Sequence, residues 1–167
     1  MDNKSAEERS LNMSRIRSED TRPEMIVRRA LRAAGYGYRL HAAGLPGKPD
    51  IVMKGRRIAV FVHGCFWHAH TGCPKAKVPE TRREFWAKKL AGNRARDREA
   101  AEALLAEGWR VLWIWQCALG RKAEREALPK RLRVWIEGTD DFSEFASEKP
   151  EVLNPKSDLS EDRMQGK

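Results

Sequence analysis

Arg110-Val-Leu-Trp-Ile-Trp115 is the segment that most constrains the fold. Its apolar residues occupy both alternating faces, so a strand here needs cover on both sides. Only the interior of a sheet with helices on its two faces provides that cover. Two shorter runs supply partners for it. Ile51-Val-Met53 and Ile58-Ala-Val-Phe-Val62 are joined by Lys54-Gly-Arg-Arg57, which predicts a β-hairpin.

Helices are predicted between and around these strands. Thr21-Arg-Pro-Glu24 is a helix start, with Thr21 as cap, Pro23 in the first turn and Glu24 closing a capping box. Ile26, Val27, Ala30, Leu31 and Ala34 follow at helical spacing, and Gly35 ends the run. Residues 80–107 are helix-forming with a break expected at Gly92-Asn93. A last amphipathic helix carries Leu128, Leu132, Trp135 and Ile136, with Pro129 placed near its first turn. The order helix, hairpin, helix, strand, helix predicts a single α/β domain over residues 20–138, a mixed central sheet flanked by helices. Residues 1–19 form a polar arm whose large apolar residues are Leu11, Met13 and Ile16. Residues 139–167 lose all periodicity and are expected to be a disordered acidic tail.

Charge points to a polyanionic partner. The chain of 167 residues carries 33 Lys and Arg against 24 Asp and Glu. Residues 139–167 hold four basic and eight acidic residues, which leaves +13 on residues 1–138. A basic body of this kind suits nucleic acid. No apolar run approaches the roughly 18 residues that span a bilayer, and the N-terminus lacks an apolar signal segment. A cytosolic location and no membrane partner are the expectation.

Chemistry concentrates in His63-Gly-Cys-Phe-Trp-His-Ala-His-Thr-Gly-Cys73, which holds five of the seven Cys and His residues. Cys65, His70 and Cys73 are spaced to let one loop wrap a zinc ion. A tetrahedral site needs a fourth donor, and Cys117 is the remaining cysteine. His68 is an alternative to His70 as the histidine ligand. The two histidines that then remain, His63 and His68, flank that metal-braced loop beside Asp50, which follows a turn and opens a strand. Pro49-Asp50, a turn and a second strand is the layout of the PD-(D/E)xK nuclease core, whose first acid binds a divalent cation. Here Phe61-Val62-His63 stands where that core has Glu-x-Lys.

Several blocks together resemble the very short patch repair (Vsr) DNA mismatch endonucleases. They are Arg9-Ser10-x-Asn12-Met13-x-x-Ile16, Asp20-Thr21-x-x-Glu24, Leu45-Pro-Gly-x-Pro-Asp50, His63-Gly-Cys-Phe-Trp-His68, Val78-Pro-x-Thr81-Arg82-x-Glu84-Phe85-Trp86, Asn93-x-x-x-Asp97 and Gly108-Trp109-Arg110-Val111. The likeness runs from about residue 9 to 137. It implies a PD-(D/E)xK restriction-endonuclease-like core with a zinc-braced loop. It also implies an enzyme that nicks double-stranded DNA 5′ to the thymine of a T:G mismatch, the product of 5-methylcytosine deamination.

The resemblance assigns Mg²⁺ to Asp50 and the Val62 carbonyl, and structural Zn²⁺ to Cys65, His70, Cys73 and Cys117. It makes His68 the catalytic histidine and His63 a supporting group in the usual lysine position. Phosphodiester hydrolysis needs proton transfer at neutral pH, and an imidazole can supply it where only one strand carboxylate is evident. Asp97 is the candidate to orient His68. Glu24 is either the capping-box acid alone or also a holder of water near a cation.

Composition alone would place Phe66, Trp67 and Trp86 in the core with Trp109, Trp113, Trp115 and Trp135. The resemblance instead makes Phe66, Trp67 and Trp86 wedges that intercalate beside the mismatch, with Met13 and Ile16 entering from the other groove and Asn93 also at the DNA. It makes mismatch-repair proteins and a cognate cytosine methyltransferase natural associates, with nucleoid association in a bacterium. The asymmetric target suits a monomer. A nuclease without T:G selectivity, or a zinc-braced DNA-binding module, are the competing readings. Asp50, His63 and His68 together argue against a pure binder.

Overall fold

The structure, a computed structural model, describes residues 19–147. Helix α1 spans Arg22–Ala33 and begins as the sequence predicts, with the Thr21 hydroxyl accepting from the Glu24 N–H. Strand β1 (Arg39–Leu40) follows, then β2 (Ile51–Met53) and β3 (Ile58–His63). Helix α2 (Arg83–Ala106) leads to β4 (Arg110–Trp115), and helix α3 (Lys122–Glu137) leads to β5 (Phe142–Phe145). The five strands form one sheet in chain order. The β1–β2 and β2–β3 pairs are antiparallel, whereas β3–β4 and β4–β5 are parallel. The sheet is therefore mixed, and α2 and α3 make the connections between its parallel strands.

Alternation along β3 and β4 sorts the core into two layers. Ile58, Val60, Leu112 and Ile114 pack with Val27 and Leu31 of α1 and Leu128, Leu132 and Ile136 of α3. Ala59, Phe61 and Val111 pack on the opposite face against Ala101 and Leu104 of α2. By the same alternation His63 faces the α2 side, and the β3–β4 register sets it beside Trp115. Trp115 and Trp135 are buried, and Trp109 and Trp113 pack half-buried against the α2 layer.

Three expectations are corrected. Helix α2 runs unbroken through Gly92 and Asn93. A glycine inside a helix costs about 1 kcal/mol, and the anchors Leu90, Ala100, Ala101 and Leu104 on either side offset it. Pro129 lies well inside α3, because the helix starts at Lys122, where Glu124 accepts from the Arg121 N–H at 3.0 Å. The segment after Gly138 is not structureless: Phe142–Phe145 adds the edge strand β5, and Phe145 is buried. Two phenylalanines three residues apart carry no period-two signal, so the pairing comes from the open side of β4 rather than from local pattern. Met13, Ile16 and the chain beyond Ser147 lie outside the described residues. Among those described, no helix is long and apolar enough to cross a membrane.

Candidate active site and metal cluster

Asp50 is fixed by the Leu45-Pro-Gly-Lys-Pro49 turn and by β3. Gly47 adopts φ +71°, and a Cβ there would lie 2.5 Å from the Cβ of Ala100 on α2. The turn therefore sits directly on that helix and delivers Asp50 to the start of β2. Asp50 Oδ2 accepts from the Val62 N–H at 2.7 Å. Burial pushes the Asp50 carboxyl up to about 6. The Val62 hydrogen bond opposes this shift, the nearby Glu24 carboxylate adds to it, and His41 and His68 oppose it. A carboxylate pushed up in this way is one that a bound cation would restore to its charged form. Asp50 and the adjacent Val62 peptide thus fit a hard divalent ion.

Glu24 is 3% exposed and lines the same cleft as Asp50. Its carboxylate accepts from the Thr21 hydroxyl (3.0 Å), the Asp20 N–H (3.1 Å) and Arg28 Nη2 (2.9 Å). The expected capping box is only half formed: Thr21 caps the Glu24 N–H, but the Glu24 carboxylate takes the Asp20 N–H in place of the Thr21 N–H, and buried Arg28 adds a third donor to it. Arg28 also pairs with Asp20. Nothing in the local sequence pattern marks Arg28, since an arginine at that helical position reads as surface.

The cleft has a volume of about 580 Å³ and also takes in His63, His68, Asp97 and Trp67. His63 is 3% exposed. Its ring lies 4.1 Å from that of His68 and 5.1 Å from those of Trp113 and Trp115. Burial first, then the neighbouring His68 and His70, hold His63 well below the ordinary histidine range, so it is neutral near pH 7. Its Nε2 is buried with no hydrogen-bond partner. His68 Nδ1 lies 2.6 Å from Asp97 Oδ2. An ionised carboxylate only accepts, so Nδ1 carries the proton and Nε2 presents its lone pair.

The loop after β3 folds back on itself. The His70 N–H donates to the Cys65 carbonyl at 2.9 Å, and Ala69 takes a left-handed φ of 48°. Donor atoms of Cys65, His70, Cys73 and Cys117 come within 4.8 Å of one another. The histidine that joins the cysteines is His70, while His68 turns to Asp97. Three thiols and one imidazole form a donor set suited to a tetrahedral metal. Burial pushes the Cys65 thiol up to about 12, so a thiolate there depends on a compensating cation. Trp115 stacks flat on His70 at 4.0 Å and donates from Nε1 to Glu144 of β5 at 2.8 Å. The Ser147 N–H donates to Cys117 Sγ at 3.4 Å. Glu144 and Ser147 escape sequence reasoning because they lie in the stretch that carries no periodicity.

Phe66, Trp67 and Trp86 touch one another edge-to-face, with ring separations of 5.1 to 6.1 Å. All three are half-buried, and Phe85 extends the group outward at 47% exposure. Lys89 lies within 6 Å of the Trp67, Phe85 and Trp86 rings. The Asn93 side chain donates to the Trp67 carbonyl at 2.9 Å, so it braces this cluster. A cationic, aromatic ledge beside the cleft is an arrangement on which a nucleobase stacks.

A mixed sheet with an acid just before one strand, a histidine closing the next, and a cleft between them fits the restriction-endonuclease-like α/β class. Comparison with known sequences narrows the class. The family described as DNA mismatch endonuclease Vsr matches residues 1–75. The chain is 49% identical over 132 residues to the type II nicking enzyme V.XorIIP of Xanthomonas oryzae, covering 79% of this chain and 94% of that protein. It is 47% identical over 132 residues to the DNA mismatch endonuclease Vsr of Escherichia coli, covering 78% and 84%. It is 39% identical over 126 residues to the type II nicking enzyme V.NmeAIP of Neisseria meningitidis, covering 75% and 89%. The chain belongs to the Vsr DNA mismatch endonuclease family.

Proposed function

We propose that this protein nicks duplex DNA on the 5′ side of the thymine in a T:G mismatch, on that strand only, by Mg²⁺-dependent phosphodiester hydrolysis. The observation that carries the reading is the His68–Asp97 pair sharing one cleft with Asp50, in a chain 47% identical to a DNA mismatch endonuclease.

Asp50 and the Val62 carbonyl would hold Mg²⁺. When bound, that ion supplies Lewis acidity and offsets charge on the phosphoryl oxygens. His68 Nε2 accepts a proton from the attacking water as general base. Asp97 fixes the His68 tautomer and stabilises the imidazolium that forms. Neutral His63 packs against the His68 ring and limits its rotation. Glu24, held by Arg28 and Thr21, orients water at the far side of the cleft. Cys65, His70, Cys73 and Cys117 would hold Zn²⁺ and so fix the loop that carries His68.

Phe66, Trp67 and Trp86 enter the base stack beside the mismatch, with Asn93 holding Trp67 in place. Met13 and Ile16 of the 1–19 arm complete the wedge. Unstacking costs a few kcal/mol per step, less at a mismatch, so deformability itself favours the target. The protein acts as a monomer in the cytoplasm, beside mismatch-repair proteins.

The test uses end-labelled duplexes, one set with a single T:G pair in varied flanking sequence and one set fully matched, incubated with Mg²⁺. A single nick 5′ to the mismatched thymine is expected. Equal cutting of matched DNA overturns the selectivity. Binding without cutting in any context overturns the enzyme reading in favour of a binding module.

A further inference from the structure

We propose that His63, His68 and Asp97 form a second metal site, one that takes a transition-metal dication of the Zn²⁺ or Ni²⁺ type and switches nicking off. The inference rests on the proposed catalytic role of His68. Donor atoms of these three side chains lie within 4.8 Å of one another. The group shares no residue with the Cys65, His70, Cys73, Cys117 cluster and none with the Asp50–Val62 pair. Two imidazoles and one carboxylate suit Zn²⁺, Ni²⁺ or Co²⁺. Mg²⁺ prefers oxygen donors and retains its waters, so it has little reason to settle here.

Two features show that the group is built rather than incidental. First, its members come from three elements: His63 closes β3, His68 sits on the following loop, and Asp97 lies on α2. All three are positioned by the fold before any ion arrives. Second, His63 Nε2 is buried and unpartnered. A buried polar atom without a partner is unfavourable, and this imidazole is one of the three side chains that bring a donor atom into the group. Against binding, the 2.6 Å contact between His68 and Asp97 must open to admit an ion. The site should therefore be weaker than the cysteine cluster. An imidazole whose lone pair is committed to a metal cannot accept a proton. The ion should thus inhibit even when Mg²⁺ is saturating.

The test starts from full-length protein carrying its tightly held metal, without DNA, titrated with Ni²⁺ by calorimetry. One further equivalent is expected to bind. His68→Gln and Asp97→Asn, both at partly exposed positions, should each weaken that binding at least about ten-fold while keeping the tight metal. In parallel, Ni²⁺ is added to T:G nicking reactions at saturating Mg²⁺, and inhibition should track the binding midpoint. Absence of the extra equivalent, or its survival unchanged in both variants, overturns the site. Binding without inhibition overturns the switch. The binding arm involves no DNA, so failure of T:G nicking would sink the proposed function alone and leave the site to be decided by calorimetry.

Discussion

His68 Nδ1 and Asp97 Oδ2 lie 2.6 Å apart across 29 residues of chain, joining the loop after β3 to the middle of α2. The contact sets which imidazole nitrogen is free. Asp97→Asn keeps the shape but lets an amide donate to Nδ1, which favours the wrong tautomer. Single-turnover nicking should fall about 10²-fold, while mismatch affinity in a gel-shift assay stays near that of the parent. A parallel loss of binding would show that Asp97 only holds the fold.

Asp50→Asn tests the charge carried in the cleft. Burial lifts the Asp50 carboxyl from an ordinary value of 3.8 to about 6. A raised folded-state value means that the protonated form is favoured. Its contribution to stability is complete below about pH 4 and is lost as pH rises through about 6. Metal-free parent protein at pH 7 therefore carries an unfavourable charge, worth on the order of 1–3 kcal/mol. Asp50→Asn should abolish nicking yet melt several degrees higher in chelator above pH 6. The gap should close toward pH 4, and Mg²⁺ should raise the melting point of the parent alone. A variant less stable than the parent at every pH would refute this.

Removing the metal from the cysteine cluster should loosen more than a loop. Cys117 lies in the short turn Gln116–Leu119 after β4, and Cys65 and Cys73 bracket the segment that bears His68. Cys117→Ser should lower metal content and drop Tm by at least about 5 °C, as expected when binding energy is folding energy. Purified protein that contains no metal, or melts identically after chelation, would contradict the assignment.

Gly47 offers a steric test. Its left-handed backbone and the 2.5 Å approach that a Cβ at this position would make to Ala100 act together. Gly47→Ala should cost about 1–3 kcal/mol through overpacking and strain. Ala100→Gly weakens α2 by about 1 kcal/mol on its own, but in the double variant it removes the clash. Denaturant titration of all four proteins should therefore give strong favourable coupling. Simple additivity would show that the turn yields freely.

The legible parts of this molecule are those written in local chemistry. Thr21 and Glu24 announce a cap, and Arg110–Trp115 announces a covered strand, because each signal is complete within a few residues. The Cys/His cluster is readable up to its histidine. Spacing leaves both His68 and His70 open, and the fold brings His70 to the cysteines while His68 meets Asp97. Strand β5 is illegible, since its stability lies in the waiting edge of β4 and not in its own four residues. Arg28 is illegible for a related reason: its burial follows from how Asp20 and Glu24 close over it.

Strand β5 also determines when the protein can be finished. The ribosome delivers β4 with β3 already available, but the other edge of β4 waits for residues made later. The Val111 N–H finds its partner only in the Asp141 carbonyl, and Cys117 Sγ only later receives the Ser147 N–H. Synthesis proceeds from the N-terminus at about 5–20 residues per second. For a short interval the nascent chain therefore presents one apolar strand with an open hydrogen-bonding edge, the kind of surface on which neighbouring chains pair. A transcript cut short before codon 141 would leave that edge of β4 permanently without its partner strand.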